Sequence, residues 1–477
     1  MAIRTFLKID EADGNTIRIK ERFDFRTNAF KNRIWYRGEA DELHQLYKQV
    51  EDPLCSFWNA SPSVGREIRK IHTGLPGEII DTLTGIIARD LNDIELEDAQ
   101  QRDLWDDIED ENNLSEVLEK AIREILIVGD GAFKVSLDGE VSDYPIIEFF
   151  PGDRVKFVRK RGRIREVDFH TDFSEESHSF TLVEKYGYGY VRYELLRDGN
   201  PANLDMAKAT AGLVDVAFDD SFMMAVPYIW RQSEKWDGRG KSLLDGKIDA
   251  FDSLDEAYSQ WIHAMRESRP MKYIPEDVIP RDEKSGTLLA PNPFDTQFVS
   301  IPMMMGETSK NEIGVIQPEF LADRYDTTYK TALDMALQGI ISPSTLGIDV
   351  KKLDNAESQR EKEKTTLYTR GAIIQTLTPA LQKLVEVALC SYYTANQMPL
   401  QEVSCSITFG EYANPSFEAV VETMSNPNTP MSIEAKVDEM WGSTKDEEWK
   451  AEEIRRIKEQ IGVVSEEEPA LAQQIGF

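Results

Sequence analysis

Cysteine is scarce in this 477-residue chain. Cys55, Cys390 and Cys405 are an odd number without a C-x-x-C spacing, which points away from a disulfide framework or zinc knuckle and toward a reducing compartment. Histidine is nearly as sparse: His44, His72, His170, His178 and His263 form no HExxH or other zinc spacing, so no metal and no cofactor is implied. No apolar run approaches the ~18 residues of a membrane-spanning helix. The start, MAIRTFLKIDEADG, lacks the apolar core of a signal peptide, so neither export nor membrane insertion is expected. Basic side chains are also in deficit. Fifty-five Lys and Arg stand against 86 Asp and Glu, a net charge of −31, which argues against a nucleic-acid binder held by phosphate neutralisation. What is present suffices for folding: 41% hydrophobic residues can build cores, and the length suggests roughly three domains.

Charge and periodicity then divide the chain. Residues 1 to 80 are mixed, with aromatic anchors at Trp35, Tyr36, Phe57 and Trp58. From Gly77 to Val128 the spacing predicts helices, one on Ile79, Ile80, Leu83 and Ile87, another on Leu118, Ile122, Ile125 and Leu126. Residues 132 to 230 change to short segments rich in β-branched and aromatic residues, separated by turn signals, which predicts a mainly antiparallel β region. Within it RVKFVRKRGRIR (154–165) holds seven basic and no acidic residues, and Arg159, Lys160, Arg161, Arg163 and Arg165 straddle a predicted hairpin turn. This is a solvated tip, a partner for acidic helices of the same or a neighbouring subunit, or a contact patch for DNA or a packaging partner.

The clearest helical signal runs from Lys241 to Arg269, about 40 Å at 1.5 Å per residue. Leu244, Ile248, Phe251, Leu254, Tyr258 and Trp261 form its apolar side, and Asp245, Asp249, Asp252 and Glu256 are expected as an acidic stripe on the side away from it. Residues 270 to 320 hold seven prolines and short strand-like pieces, which fits a compact module inserted between two helices. Met303, Met304 and Met305 in it suit either core or an adaptable surface. A second helix, 321–341, stops where Pro343 follows Ser342. The loop 342–354 carries Lys351 and Lys352 as its only cations, and Asp354 with Glu357 forms a capping-box pattern that restarts a long helix with an expected kink at Pro379. A strand is predicted at Ser404–Phe409, a linker at 425–432 and an acidic amphipathic helical run beyond it.

The segments NRIWYRGEADELHQLYKQV, REIRKIHTGLPGEIIDTLTGIIARDL, GRGKSLLDGKIDAFDSLDEAYSQW and SPSTLGID followed by DNAESQREKEKTTLYTR resemble, in this order, the portal proteins of tailed bacteriophages. The resemblance spans most of residues 32 to 395. It implies an α+β portal fold: a wing over 1–240 rejoined by 355–415, a first stem helix at 241–269, a clip at 270–320, a second stem helix at 321–341, a tunnel loop at 342–354 and a helical crown at 416–477. By the same resemblance the chain is a non-enzymatic virion component, assembled in the host cytoplasm as a ring of about a dozen copies. Double-stranded DNA passes through the ring, and the partners are a terminase packaging motor, head-completion or adaptor proteins, and the major capsid and scaffolding proteins. Lys351 and Lys352 are then expected to contact DNA, and Asp245, Asp249, Asp252 and Glu256 to line the channel.

Two rival readings remain. GRGKS (238–242) is similar to the end of a phosphate-binding P-loop, but the earlier glycine of that pattern is replaced by Lys235. The other rival is an acidic interaction scaffold without a channel. The glycines of KYGYGYV lack the rest of a dinucleotide fingerprint and fit a β turn, and paired carboxylates are too common in so acidic a chain to mark a catalytic pair.

Overall fold

The computed structural model describes residues 6–10, 16–50, 56–61, 68–175, 177–269, 271–275, 279, 281, 286–287, 298–301, 314–316, 319–348, 356–410, 432–441 and 447–461. The chain divides into two compact units, one of residues 1–348 with 365–410, the other of 349–364 with 411–477.

The first unit is mixed α+β. Strands β1 (Phe6–Asp10) and β2 (Thr16–Lys20) form an antiparallel pair. Helix α1 (Phe25–Arg37) starts where Asp24 accepts the Thr27 amide at 2.8 Å and stops at Gly38 in the left-handed region. After α2 (Ala40–Gln49) comes α3 (Leu75–Arg89), which buries Ile79, Ile80, Leu83 and Ile87. The expected helical stretch is then interrupted by strand β3 (Leu91–Leu96). LNDIEL alternates exposed and buried positions, and a partner far along the chain captures that period of two. Helices α4 (Ala99–Asn112) and α5 (Leu114–Val128) follow, with Ile122, Ile125 and Leu126 of α5 at the centre of the core.

The β region is antiparallel throughout, as its alternation predicts. Strands β4 (Asp130–Ser136), β5 (Ile146–Pro151), β6 (Val155–Lys160), β7 (Arg163–Glu175), β8 (His178–Gly187), β9 (Tyr190–Arg197), β10 (Asn200–Ala202), β11 (Val216–Ala217) and β12 (Ala225–Ile229) make two sheets. One has the order β12-β4-β5; the other runs β10-β9-β8-β7-β6, with β11 on β9. Tyr188 and Gly189 form the β8–β9 turn, the place KYGYGYV predicts.

Helix α6 (Ile248–Glu267) is shorter than its apolar pattern, about 30 Å rather than 40. Residues 243–247 are turns, with Gly246 at φ 80°. Strands β13 (Met271–Pro275), β14 (Phe298–Ile301) and β15 (Gly314–Ile316) form a three-stranded sheet, parallel between β13 and β14. Met303, Met304 and Met305 lie outside the described residues. Helix α7 (Ala322–Leu337) then runs antiparallel to α6: Tyr329 packs on Tyr258 and Trp261, and the Lys247 ammonium donates to the carbonyls of Met335 (3.0 Å) and Gln338 (2.6 Å). A cation on the last carbonyls of α7 satisfies groups the helix leaves free and complements its dipole.

The 40-residue helix α8 (Ala356–Ala395) carries Pro379 inside it and buries Ile373, Leu377, Leu381, Leu384 and Ala388 in the same core as α3 and α5. Strand β16 (Cys405–Phe409) closes the unit on β3, where Arg370 bridges the Asp90 carboxylate (2.7 Å) and the Gly410 carbonyl. The second unit contains α9 (Ile433–Trp441) and α10 (Glu447–Ile461), two helices where one run is expected, joined by a Lys458–Glu434 ion pair of 2.6 Å. Among the described residues no helix is long and apolar enough to cross a membrane.

One ion pair ties the first unit together. Asp130 opens β4 with no exposure and receives Arg239 in bidentate fashion, Nε to Oδ2 at 2.9 Å and Nη2 to Oδ1 at 2.7 Å. The Gly240 amide adds a third donor at 2.6 Å. Arg239 also donates to the carbonyls of Val155 (2.9 Å) and Gly152 (2.5 Å) and stacks on Phe25 at 3.8 Å. Glycine is needed around this carboxylate: a Cβ at Gly152 would meet Asp130 Oδ1, and one at Gly240 would meet the Gly129 carbonyl.

Arg239→Met leaves the Asp130 carboxylate buried without its countercharge. It should lower stability by about 3–5 kcal/mol, read as a drop in the urea midpoint at unchanged slope.

Candidate functional site

The chain positions four features that could carry function: the acidic set on α6, GRGKS, the loop after α7, and the basic hairpin. Asp245, Asp249, Asp252 and Glu256 do come together. They line one cleft of about 440 Å3 whose wall also includes Arg22, Lys31 and Lys235. The set is not a uniform exposed stripe, however.

Asp245 precedes α6 and binds inward, accepting from Asn28 (2.8 Å), Asn32 (3.2 Å) and the Ser242 amide (3.0 Å). Asp252 is only 7% exposed and accepts the amides of Phe57 (2.8 Å) and Trp58 (3.3 Å). Asp245 differs from the expected placement because α1 meets it through Asn28 and Asn32, and Asp252 because Phe57 and Trp58 cover a side of α6 that helical periodicity alone leaves open. Asp249 remains exposed, and Glu256 is half-buried with Gln260 donating to it at 2.7 Å. Burial pushes the Asp252 carboxyl up from 3.8 to about 6, assisted by the charges of Asp255 and Glu256 and opposed by the two amides. Burial likewise pushes Lys31, across the cleft, down to about 8.

Asp255 is missing from the sequence-derived set and is the most enclosed carboxylate of α6. Fully buried, it accepts from Trp58 Nε1 (3.1 Å), the Thr73 amide and hydroxyl (both 2.9 Å), and meets His72 Nδ1 at 2.6 Å. Its signal was available: position 255 lies four after Phe251 and three before Tyr258, so a charge there sits on the apolar face.

GRGKS does not make a phosphate cradle. Such a cradle needs free backbone amides. Here the Arg239 amide donates to Trp236 O, Gly240 to Asp130, Lys241 to Arg231 O, Ser242 to Asp245, Leu243 to Leu126 O and Leu244 to Ser242 Oγ. Gly240 serves the clamp on Asp130, the Gly238 carbonyl accepts from Arg159, and α6 begins only at Ile248.

The loop after α7 is described as far as Ile348. Pro343–Leu346 form a 3-10 turn ended by Gly347 at φ 71°. Two threonines of α8 hold it: Thr366 Oγ1 accepts the Ser342 amide at 2.9 Å and meets Thr345 Oγ1 at 2.7 Å, and Thr369 donates to Ile340 O at 2.6 Å. Lys351 and Lys352 lie outside the described residues.

The basic hairpin forms as its sequence predicts, a two-residue turn at Arg161 and Gly162 joining β6 to β7. Arg159 folds back, donating to the carbonyls of Gly162 (3.0 Å) and Gly238 (2.9 Å), and Arg165 stacks over Tyr188 at 5.3 Å. Lys160, Arg161 and Arg163 stand exposed at the tip.

No family model matches this chain, and no curated protein matches it. Among solved structures it is similar to a chain from the neck of a native gene transfer agent (GTA) particle computed with C12 symmetry. The identity is 13%, the TM-score 0.40, and the match covers 77% of this chain and 89% of that one. A chain from the virion of the native particle gives 15% identity, a TM-score of 0.38 and coverage of 76% and 89%. One from the neck of the empty particle, computed with C6 symmetry, gives 16%, 0.39, and 76% and 90%. At such identities and scores, function has to be argued from this chain's own residues.

The Asp252 shift has a testable sign. A carboxyl raised in the folded state contributes stability that is fully present below its unfolded value near 3.8 and is lost as pH rises through about 6. The melting temperature of the parent relative to Asp252→Asn should therefore fall between pH 4 and pH 7 and level off above. A difference that is flat across this window would contradict the assignment.

Proposed function

We propose that this chain is the subunit of a viral portal, a non-enzymatic ring at one capsid vertex through which double-stranded DNA is packaged and later released. The observation that carries this reading is the course of the chain from α6 to α8. An antiparallel helix pair, tied at one end by Lys247, brackets a small β module, and α7 returns through SPSTLGI, pinned by Thr366 and Thr369, toward the long α8. In the portal reading the pair is the stem, the module is the clip that meets the terminase motor and head-completion proteins, and the loop bearing Lys351 and Lys352 borders the channel. Asp249 and Glu256 supply the outward acid of the stem, with Asp245 and Asp252 behind them holding the protomer together. Acidic walls keep a polyanion sliding, where a basic bore would bind it. The occupied amides of GRGKS leave the NTPase reading without a phosphate site.

Negative-stain images of purified protein should show closed rings with a central hole, about a dozen subunits each. A monomeric native mass at every concentration would instead favour an acidic scaffold. Within the ring, Lys351→Ala with Lys352→Ala should leave assembly intact and weaken DNA retention. The salt slope of retention should drop by about one unit per lysine, with no change in sequence preference.

A further inference from the structure

Among the described residues, two exposed surfaces of opposite sign make no ion pair. The first is the β6–β7 hairpin tip. Lys160 pairs directly across the strands with Arg163, a like-charge pair that weakens a hairpin. Arg161 holds φ 52° at a turn position where Asn, Asp or Gly is favoured. Among the described residues, Lys160, Arg161 and Arg163 make no ion pair. The second surface is α4, where Asp103, Asp106, Asp110 and Glu111 are exposed and likewise make no ion pair among the described residues. Asp106 and Asp110 stand one helical turn apart, as like charges that oppose each other. The only cation of α4, Arg102, donates to the Leu96 carbonyl at 2.6 Å. Burial together with Asp106, Asp110 and Asp93 raises the neighbouring Glu109 carboxyl.

Each surface carries local repulsion that an outside partner of the other sign would relieve. DNA could satisfy the hairpin and would leave α4 unpaired, whereas a second copy of this chain satisfies both. We infer that the β6–β7 hairpin of one copy docks on the acidic face of α4 of the next. The two surfaces differ, so the contact is head-to-tail, the kind that closes into a ring when the rotation permits. This inference rests on the ring proposed above and names the contact that sets its subunit register. Complementary charge at such a contact governs partner choice and rate, and it is weakened by salt.

The experiment uses the full chain and two charge reversals at exposed positions, Arg161→Glu with Arg163→Glu, and Asp106→Lys with Asp110→Lys. Circular dichroism melting confirms that each variant folds, and native mass spectrometry or sedimentation then reads the assembly at low and high salt. Each variant alone should associate at least about tenfold more weakly than the parent, and an equimolar mixture should restore assembly with alternating subunits. Parent-like assembly of either variant alone overturns the contact and leaves the ring standing. So does an intact assembly that has lost only DNA retention, which would assign the hairpin to DNA. A parent that is monomeric at all salts defeats both proposals. Open chains or dimers that dissociate on reversal and recover on mixing support the contact and defeat the ring.

Discussion

A carboxylate removed from water has to be met by donors, and Asp130 is met by three: the Nε and Nη2 groups of Arg239 and the Gly240 amide. Four pieces of chain converge on that requirement. They are the start of β4, the β5–β6 corner at Gly152, the first turn of α1 through Phe25, and the GRGKS segment. The glycines at 152 and 240 are consequences of it, since a side chain at either position would occupy the space of the pair or of the backbone beside it. The clamp also fixes where the chain leaves the β region and enters α6, and hence where the α6–α7 pair stands on the first unit.

Acid in this chain divides by use. Asp130, Asp245, Asp252 and Asp255 are internal fasteners that take backbone amides, amide side chains, an indole or a guanidinium. Asp255 with Trp58, His72 and Thr73 holds residues 56–61 and 68–74, which lie outside helix and strand, against α6, work done elsewhere by β ladders. Asp103, Asp106, Asp110 and Glu111 on α4 face outward. A negative net charge therefore says little about any single carboxylate; burial and donors do.

Much of the fold was legible from residue order. The change of period near residue 130, the hairpin at Arg161 and Gly162, the helix on either side of SPSTLGI, and β16 all lie where hydrophobic spacing and turn residues put them. β3 was not legible, because LNDIEL is short and its partner lies some three hundred residues away. The same limit applied to the acidic set. A helical wheel tells which residues share a face and carries no information about which second layer of chain will cover that face, so Asp249 and Asp252 looked alike.

The sequence by itself determined the local elements, the excess of acid, the isolated basic hairpin and the punctuation of the loop after α7. These follow from periodicity, turn stereochemistry and composition, which act between near neighbours. Tertiary structure alone decided that GRGKS clamps a buried aspartate instead of cradling phosphate, that Asp252 and Asp255 lie inside, and that Thr366 and Thr369 hold the loop. Each of those outcomes depends on a hydrogen-bond partner at least twenty residues away. Which partner arrives is settled only when the core of α3, α5 and α8 brings the segments together.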